Sequence, residues 1–212
     1  MRWLIHALSV ELFGCSMPLP DFPKRSKIRG LGLSDPLSIS AILEKRFSYQ
    51  NTCYGQAPHF DITAHLPAGY QGAFDFVISS EVFEHVVLPV QSAFNNLARL
   101  LKPGAVAIFS VPWESEGSTL EHFPRLHDWK LVQLQAGHVL VNRTADGFLE
   151  TFGELCFHGG PGNTLEMRVF SKEDMLANCS AAGFTSIAMA EDYPAFGIMW
   201  EPWARGLILK TS

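Results

Sequence analysis

Residues 74–113, FDFVISSEVFEHVVLPVQSAFNNLARLLKPGAVAIFSVPW, constrain the fold more than any other part of the 212-residue chain. Phe74 to Ser79 is an apolar run broken only by Asp75, the pattern of a strand buried on both faces. Pro89 suits the opening of a helix, because its missing N–H would lack a partner there anyway. Val90, Phe94, Leu97 and Leu101 recur at helical spacing, with Gln91, Asn95, Arg99 and Lys102 on the other faces. Pro103 and Gly104 stop that helix, and Gly104 is free to take the left-handed closing conformation. Ala105 to Val111 returns as a second buried strand. A strand, a helix and a strand at this range form a right-handed βαβ unit with parallel strands.

Upstream, Ile28 to Asp35 (IRGLGLSD) places Gly30 and Gly32 between a strand and a helix whose core face is Ile39, Leu43 and Phe47. Glycines let the backbone turn sharply and approach a ligand closely. Ser34 or Asp35 can cap the helix, and Pro36 fits its first turn. Together these make the first βα turn of a nucleotide-binding half, or else a tight turn with no ligand. Ser48–Tyr54 reads as a second strand and His59–Ile62 as a short third one. Pro112 to Gln135 is polar and irregular, Gly137–Arg143 a strand, and Gly153–Phe157 its hairpin partner. Ser171 to Asp174 fits a capping box ahead of a helix closed by Gly183. Phe184–Ala190 and Gly206–Lys210 complete the sheet. The expectation is one domain over residues 1–212, with a docking helix and connector at 1–26 and an insertion at 112–170.

An apolar content of 47% against 17% charged residues describes a folded chain with a sizeable core. The net charge of −5 argues against a nucleic-acid partner. Cys15, Cys53, Cys156 and Cys179 are far apart and contain no CxxC, which suits a reduced compartment rather than a disulfide framework or a cysteine zinc site. No run reaches the ~20 apolar residues of a membrane span. Trp3, Leu4, Ala7, Leu8 and Leu12 form a helical stripe, with a short targeting segment as the other reading, and the expected location is cytoplasmic.

Phe74-Asp75-Phe76-Val77, the Glu81–His85 turn and Leu101-Lys102-Pro103-Gly104-Ala105 together resemble the class I S-adenosylmethionine-dependent methyltransferases, in their type 11 branch. The resemblance implies an α/β, Rossmann-like sheet, mostly parallel with an antiparallel last strand, flanked by helices. It also implies S-adenosyl-L-methionine as cofactor, at the carboxyl ends of the strands. Gly30, Gly32, Ser34, Asp35, Asn51, Asp61, Ile62, Ser79, Ser80 and Glu81 fall at the matching positions. Asp61 stands where the family contacts adenine, or is simply a turn-forming residue. Three positions depart from the family pattern. Ile28 replaces the acid before the first glycine, Ser34 replaces a third glycine, and Tyr49-Gln50-Asn51-Thr52 lacks the acid that grips the ribose. Asp35 and Asn51 are the nearest substitutes.

Methyl transfer from a sulfonium is an in-line displacement, largely a matter of positioning. A base is needed only when the acceptor must lose a proton, and histidine is the residue most ready to supply it near neutral pH. His85 lies just past the cofactor edge, and His122, His127 and His158 lie in the insertion. His85, His122 and His158 are the candidate catalytic groups, acting on a hydroxyl of a small molecule or glycan. Glu81, Glu84 and His85 also resemble the magnesium-binding turn of some ubiquinone-biosynthesis O-methyltransferases, although many type 11 proteins carry that turn without a metal. The alternative, favoured by the missing acids, is a catalytically silent methyltransferase-like binding domain.

Overall fold

The structure is a computed structural model that describes residues 2–114, 117–200 and 204–212. Residues 115–116 of the insertion, Met1 and residues 201–203 lie outside it. Helix α1 (Arg2–Phe13) is followed by β1 (Arg25–Leu33), α2 (Leu37–Arg46), β2 (Phe47–Thr52), β3 (Phe74–Ser80), α3 (Gln91–Leu100) and β4 (Leu101–Glu114). The insertion holds β5 (Leu120–Glu121), β6 (Asp128–Leu134), β7 (Gly137–Arg143), β8 (Leu149–Phe152), β9 (Phe157–His158), β10 (Thr164–Leu165) and β11 (Arg168–Ser171). Helix α4 (Lys172–Ala181), β12 (Ser186–Met189) and β13 (Ala204–Lys210) close the chain.

The main sheet runs in the order β12-β13-β4-β3-β1-β2, and β11 extends β4 at its far end. The β1, β2, β3 and β4 pairings are parallel, whereas β13 is antiparallel to β4. This is the doubly wound sheet with an antiparallel last strand that the sequence implies. Alternate residues of each central strand feed two cores. Val77, Ala107 and Phe109 face α3 and α4, while Phe76, Ile78, Val106 and Ile108 face α1 and α2. Phe94 and Leu97 of α3 are buried, as are Val90 and Leu101 just beyond its two ends, and the helix stops at Leu100 rather than at Pro103-Gly104, which belong to β4. Ser171 caps α4 by accepting from the Asp174 N–H at 3.1 Å. No helix among the described residues is long and apolar enough to cross a membrane.

Several expectations need correction. His59–Ile62 is no strand: only a Cys53–His59 bridge forms there, so the β2 edge lacks its outer neighbour. The polar segment before residue 135 is not irregular throughout, since Asp128–Leu134 pairs along the whole length of β7. The hairpin partner of β7 is Leu149–Phe152, not Gly153–Phe157. The resulting three-stranded sheet lies in the insertion, which has its own small core of Phe123, Leu140, Leu165 and Met167.

The largest correction concerns the glycines. Gly30 and Gly32 lie inside β1 in ordinary extended backbone, not in a loop beyond it. Their missing side chains make room for neighbours on the sheet. A Cβ on Gly30 would run into the Phe76 ring, and one on Gly32 would meet the Tyr49 hydroxyl and stand 2.6 Å from Asp35 Oδ2. Tyr49 donates to the buried Asp35 carboxylate. Asn51 then locks the backbone of Asp35, its Oδ1 accepting from Asp35 N–H at 3.0 Å and its Nδ2 donating to Asp35 O at 2.8 Å. Asp35 therefore does not cap α2, which starts after Pro36 with no side-chain cap.

Burial pushes the Asp35 carboxyl up to about 7, against the opposing hydrogen bond from Tyr49. Two outcomes follow. Gly30→Ala is expected to destabilise the fold by roughly 1–3 kcal/mol in denaturant melts, and Phe76→Leu in the same chain to recover part of that loss. Equal losses in both backgrounds would exclude the ring contact as the cause. At Asp35 the folded protein keeps a proton that the unfolded chain has released. Its contribution is fully present below the ordinary value of 3.8 and is lost as pH rises to about 7. Asp35→Asn is expected to reduce the fall in unfolding free energy between pH 5 and 7 by roughly 1–3 kcal/mol relative to the parent, at about 1.4 kcal/mol per pH unit. An unchanged pH slope would contradict the assignment.

Candidate active site

At the carboxyl end of β3 the chain turns through Glu81, whose φ is 55°, into a short 3-10 turn at Phe83–His85. Ser80 and Ser110 meet hydroxyl to hydroxyl at 2.9 Å, and Ser110 donates to Glu81 Oε1 at 2.7 Å, which joins the tips of β3 and β4. Burial raises the pKa of the Glu81 carboxyl, opposed by that hydrogen bond. Phe83 anchors the turn by packing edge-on against Phe94 and Phe109, with centroids 4.8 and 5.0 Å away. With Phe83 in the core, Glu84 also points inward and is 0% exposed.

The turn is held from the other side by residues 165–168. Arg168 is 0% exposed; its Nη1 donates to the Phe83 and Val86 carbonyls and its Nε to Glu121 Oε1 at 2.7 Å. Met167 N–H donates to Glu84 O at 2.7 Å, and His85 Nδ1 lies 2.9 Å from Leu165 O. The hairpin of β9 and β10 then carries His158 over the turn. His158 Nδ1 stands 3.5 Å from Glu84 Oε1, and His158 Nε2 lies 3.0 Å from Glu166 Oε2. The other Glu166 oxygen, Oε1, is 2.9 Å from His122 Nε2.

His85, His122 and His158 thus converge on one cluster around Glu84 and Glu166, although 73 positions separate the first from the last. Burial raises the Glu84 carboxyl to about 7 and lowers His85, while the neighbouring Glu84 and Glu166 carboxylates raise His158. Neither Glu84 oxygen has a hydrogen-bond partner. His127 stays outside the cluster, its N–H donating to Asn142 Oδ1 at 2.9 Å. Asn142 is fully consumed there, since its Nδ2 donates to Arg125 O and Glu150 Oε2.

Sequence reasoning missed Glu166 and Arg168. Their signal was two charges of opposite sign flanking Met167 inside the otherwise apolar run Leu165–Phe170, and charges in such a run stay buried only when paired.

The second group of expected residues lies along the ends of β1, β2 and β3. Ser34 is exposed in a left-handed conformation (φ 63°). Asp61 folds into its own turn, Oδ1 accepting from Thr63 N–H at 2.8 Å and from the Thr63 hydroxyl at 2.7 Å. Ile62 is buried beside it, and Asn96 fixes that loop by donating to Ile62 O and Ala64 O. Ser79 is buried at the end of β3 with its hydroxyl unpaired. An orphaned hydroxyl at the carboxyl edge of a doubly wound sheet is what a ligand at that edge would satisfy. Asp35 and Asn51, by contrast, already satisfy one another.

A search of curated protein sequences gives no match. Among solved structures the chain is similar to an S-adenosylmethionine-dependent methyltransferase from Clostridium acetobutylicum, at 13% identity and a TM-score of 0.51, covering 87% of this chain and 84% of that one. It is also similar to the S-adenosylmethionine-bound amino pentose methyltransferase CalS10 from Micromonospora echinaspora, at 15% identity and 0.51, covering 100% and 92%. A structure from Rhodobacter sphaeroides named as putative Zn-dependent alcohol dehydrogenases scores 0.52 at 14% identity, covering 91% and 85%. At such identities these likenesses speak for the fold alone. The sequence itself matches the family described as methyltransferase domain over residues 29–153, more than half of the chain. The chain therefore belongs to the methyltransferase domain family, and its sheet has the Rossmann-like fold of the methyltransferase structures.

Proposed function

We propose that this methyltransferase acts on a hydroxyl of a small molecule or glycan, with the His85–His122–His158 cluster as its acceptor side. One observation carries the reading. Three imidazoles and two carboxylates, drawn from the turn after β3 and from the insertion, meet beside the carboxyl ends of β3 and β4. A hydroxyl must lose its proton as it is methylated, and an imidazole oriented by a carboxylate is a suitable base. His158 is the best placed of the three. Its side chain is 33% exposed, and Glu166 holds one ring nitrogen so that the other points inward. His85 and His122 act as orienting groups for the same acceptor.

S-adenosyl-L-methionine supplies an electrophilic methyl group when bound, and this chain's residues position it. Asp61 and Ile62 would hold the adenine end, with Ser34, Ser79, Ser80 and Glu81 along the strand edge. Asp35, Asn51, Gly30 and Gly32 would shape the floor rather than grip the ligand, since their polar groups and space are taken up within the protein. The cofactor is therefore held without a carboxylate at the end of β2.

Calorimetric titration with S-adenosylhomocysteine tests this directly. Saturable one-to-one binding is expected, with Asp61→Ala and Ser79→Ala each weakening it by about 10-fold, equivalent to about 1.4 kcal/mol. No heat from folded protein at millimolar ligand would replace enzyme by binding domain. With a hydroxyl acceptor found by labelled-methyl screening, His158→Ala is expected to lower kcat by roughly 10²–10⁴. An unchanged kcat would remove His158 from the base role.

A further inference from the structure

We infer that Glu84, His85 and His158 form a binding site for one divalent first-row transition metal ion, best matched by zinc, which clamps the β9–β10 hairpin of the insertion to the turn after β3. The grouping differs from the Glu81–Glu84–His85 set that the sequence suggests for magnesium. Glu81 turns instead to the Ser110 hydroxyl, and no grouping of potential ligands among the described residues includes it. The assembled donors are two imidazole nitrogens and one carboxylate oxygen. That set suits zinc and its neighbours, whereas magnesium prefers oxygen ligands and retained water.

The distances support the assignment. Glu84 Oε1 lies 3.5 Å from both His85 Nε2 and His158 Nδ1. Zinc bonds of about 2.0–2.1 Å to oxygen and imidazole nitrogen, arranged tetrahedrally, set ligand-to-ligand edges of about 3.3–3.4 Å. All three ligand atoms lie within 4.8 Å of one another, and the His158 side chain is partly exposed.

The remaining ring nitrogens show which atoms are free. His85 Nδ1 faces the Leu165 carbonyl, which only accepts, so Nδ1 carries the hydrogen and Nε2 offers a lone pair. His158 Nε2 faces the Glu166 carboxylate in the same way, so the neutral ring that a metal ion requires offers its Nδ1 lone pair toward Glu84. Both histidines thus have the backbone-carbonyl or carboxylate support typical of metal-ligating imidazoles. Glu166 is itself steadied by His122.

Glu84 gives the second, independent sign. It is 0% exposed, and neither oxygen has a hydrogen-bond partner. A buried carboxylate left in this state, facing two lone pairs, calls for a cation. Three protein ligands leave a fourth position for water or the acceptor's oxygen, as in catalytic rather than structural zinc sites. The part-exposed His158 side chain provides the entry path. Cys156, which forms another grouping with His158 and Glu166, is exposed and lies to one side of this set.

Metal binding does not depend on the methyl-transfer reading and is measured without it; with the ion bound, His158 Nδ1 is a ligand, and the cation in place of the imidazole would help the acceptor hydroxyl lose its proton. The untagged 212-residue chain, stripped with a chelator, is titrated with zinc by calorimetry and with cobalt by visible absorption. One equivalent of zinc is expected, with a tetrahedral cobalt spectrum and a zinc-dependent rise in Tm. His158→Ala and Glu84→Gln are each expected to weaken zinc at least 10-fold, and Glu81→Gln to leave it unchanged. If Glu84→Gln fails to fold by circular dichroism, His158→Ala on the surface hairpin decides. Absent or non-stoichiometric zinc binding overturns the inference. So does zinc affinity indifferent to His158→Ala, or a preference for magnesium that depends on Glu81. S-adenosylhomocysteine titration of the same stripped protein separates failure of this site from failure of the cofactor site.

Discussion

The guanidinium of Arg168, removed completely from water, ties together the parts that make the site. A charge in that position persists only if its donors are satisfied, and losing one partner costs several kcal/mol. Arg168 meets most of that demand with the Glu121 carboxylate and the carbonyls of Phe83 and Val86, and only Nη2 is left unpaired. Those two carbonyls bracket Glu84 and His85, so the turn has little freedom to rotate. Phe83 stays in the core, Glu84 stays inward and His85 stays against Leu165. The β9–β10 hairpin is carried along, because only Glu166 and Met167 separate the end of β10 (Thr164–Leu165) from Arg168. One buried cation thereby fixes the positions of groups drawn from residues 84 to 168.

On the other flank of the sheet the chain satisfies itself. Tyr49, Asp35 and Asn51 form a closed set of hydrogen bonds, and the space beside Gly30 and Gly32 is filled by Phe76 and Tyr49. The aromatic rings lie across strand glycines and recover the packing that a glycine forfeits. This explains why glycines persist at the expected positions while the acids around them do not. Here they serve sheet packing first.

The fold was legible because residues 74–113 join two fully buried strands to an amphipathic helix, and few topologies accept that order. The antiparallel close by β13 followed from the family resemblance. The insertion was only half legible. Asp128–Leu134 carries charge and no strict alternation, since β6 is largely exposed, and it becomes a strand only by pairing with β7. The meaning of Gly30 and Gly32 was misread because a glycine that frees a loop and one that admits a neighbouring ring look alike in one dimension. His85, His122 and His158 could be nominated singly. Their convergence depends on a hairpin register that no local pattern encodes, and Glu166 was invisible until that register placed it between two of them.

The distribution of unpaired polar atoms separates the two flanks. The buried side-chain atoms without partners among the described residues are Ser79 Oγ, both Glu84 oxygens, Trp113 Nε1 and Arg168 Nη2. Ser79 and Trp113 lie near the carboxyl ends of β3 and β4, and Glu84 and Arg168 belong to the turn and insertion joined there. Each such atom costs about 1–3 kcal/mol relative to a paired one, and a fold of ordinary stability tolerates only a few. None belongs to the Tyr49–Asp35–Asn51 set. A ligand gains most where unmet hydrogen-bonding capacity is already buried, because desolvation was completed during folding. Unmet buried hydrogen-bonding capacity among the described residues is therefore concentrated around β3, β4 and the turn and strand that join them. At the end of β2, where the family resemblance implies a ribose-gripping acid, Asn51 is paired with the Asp35 backbone instead.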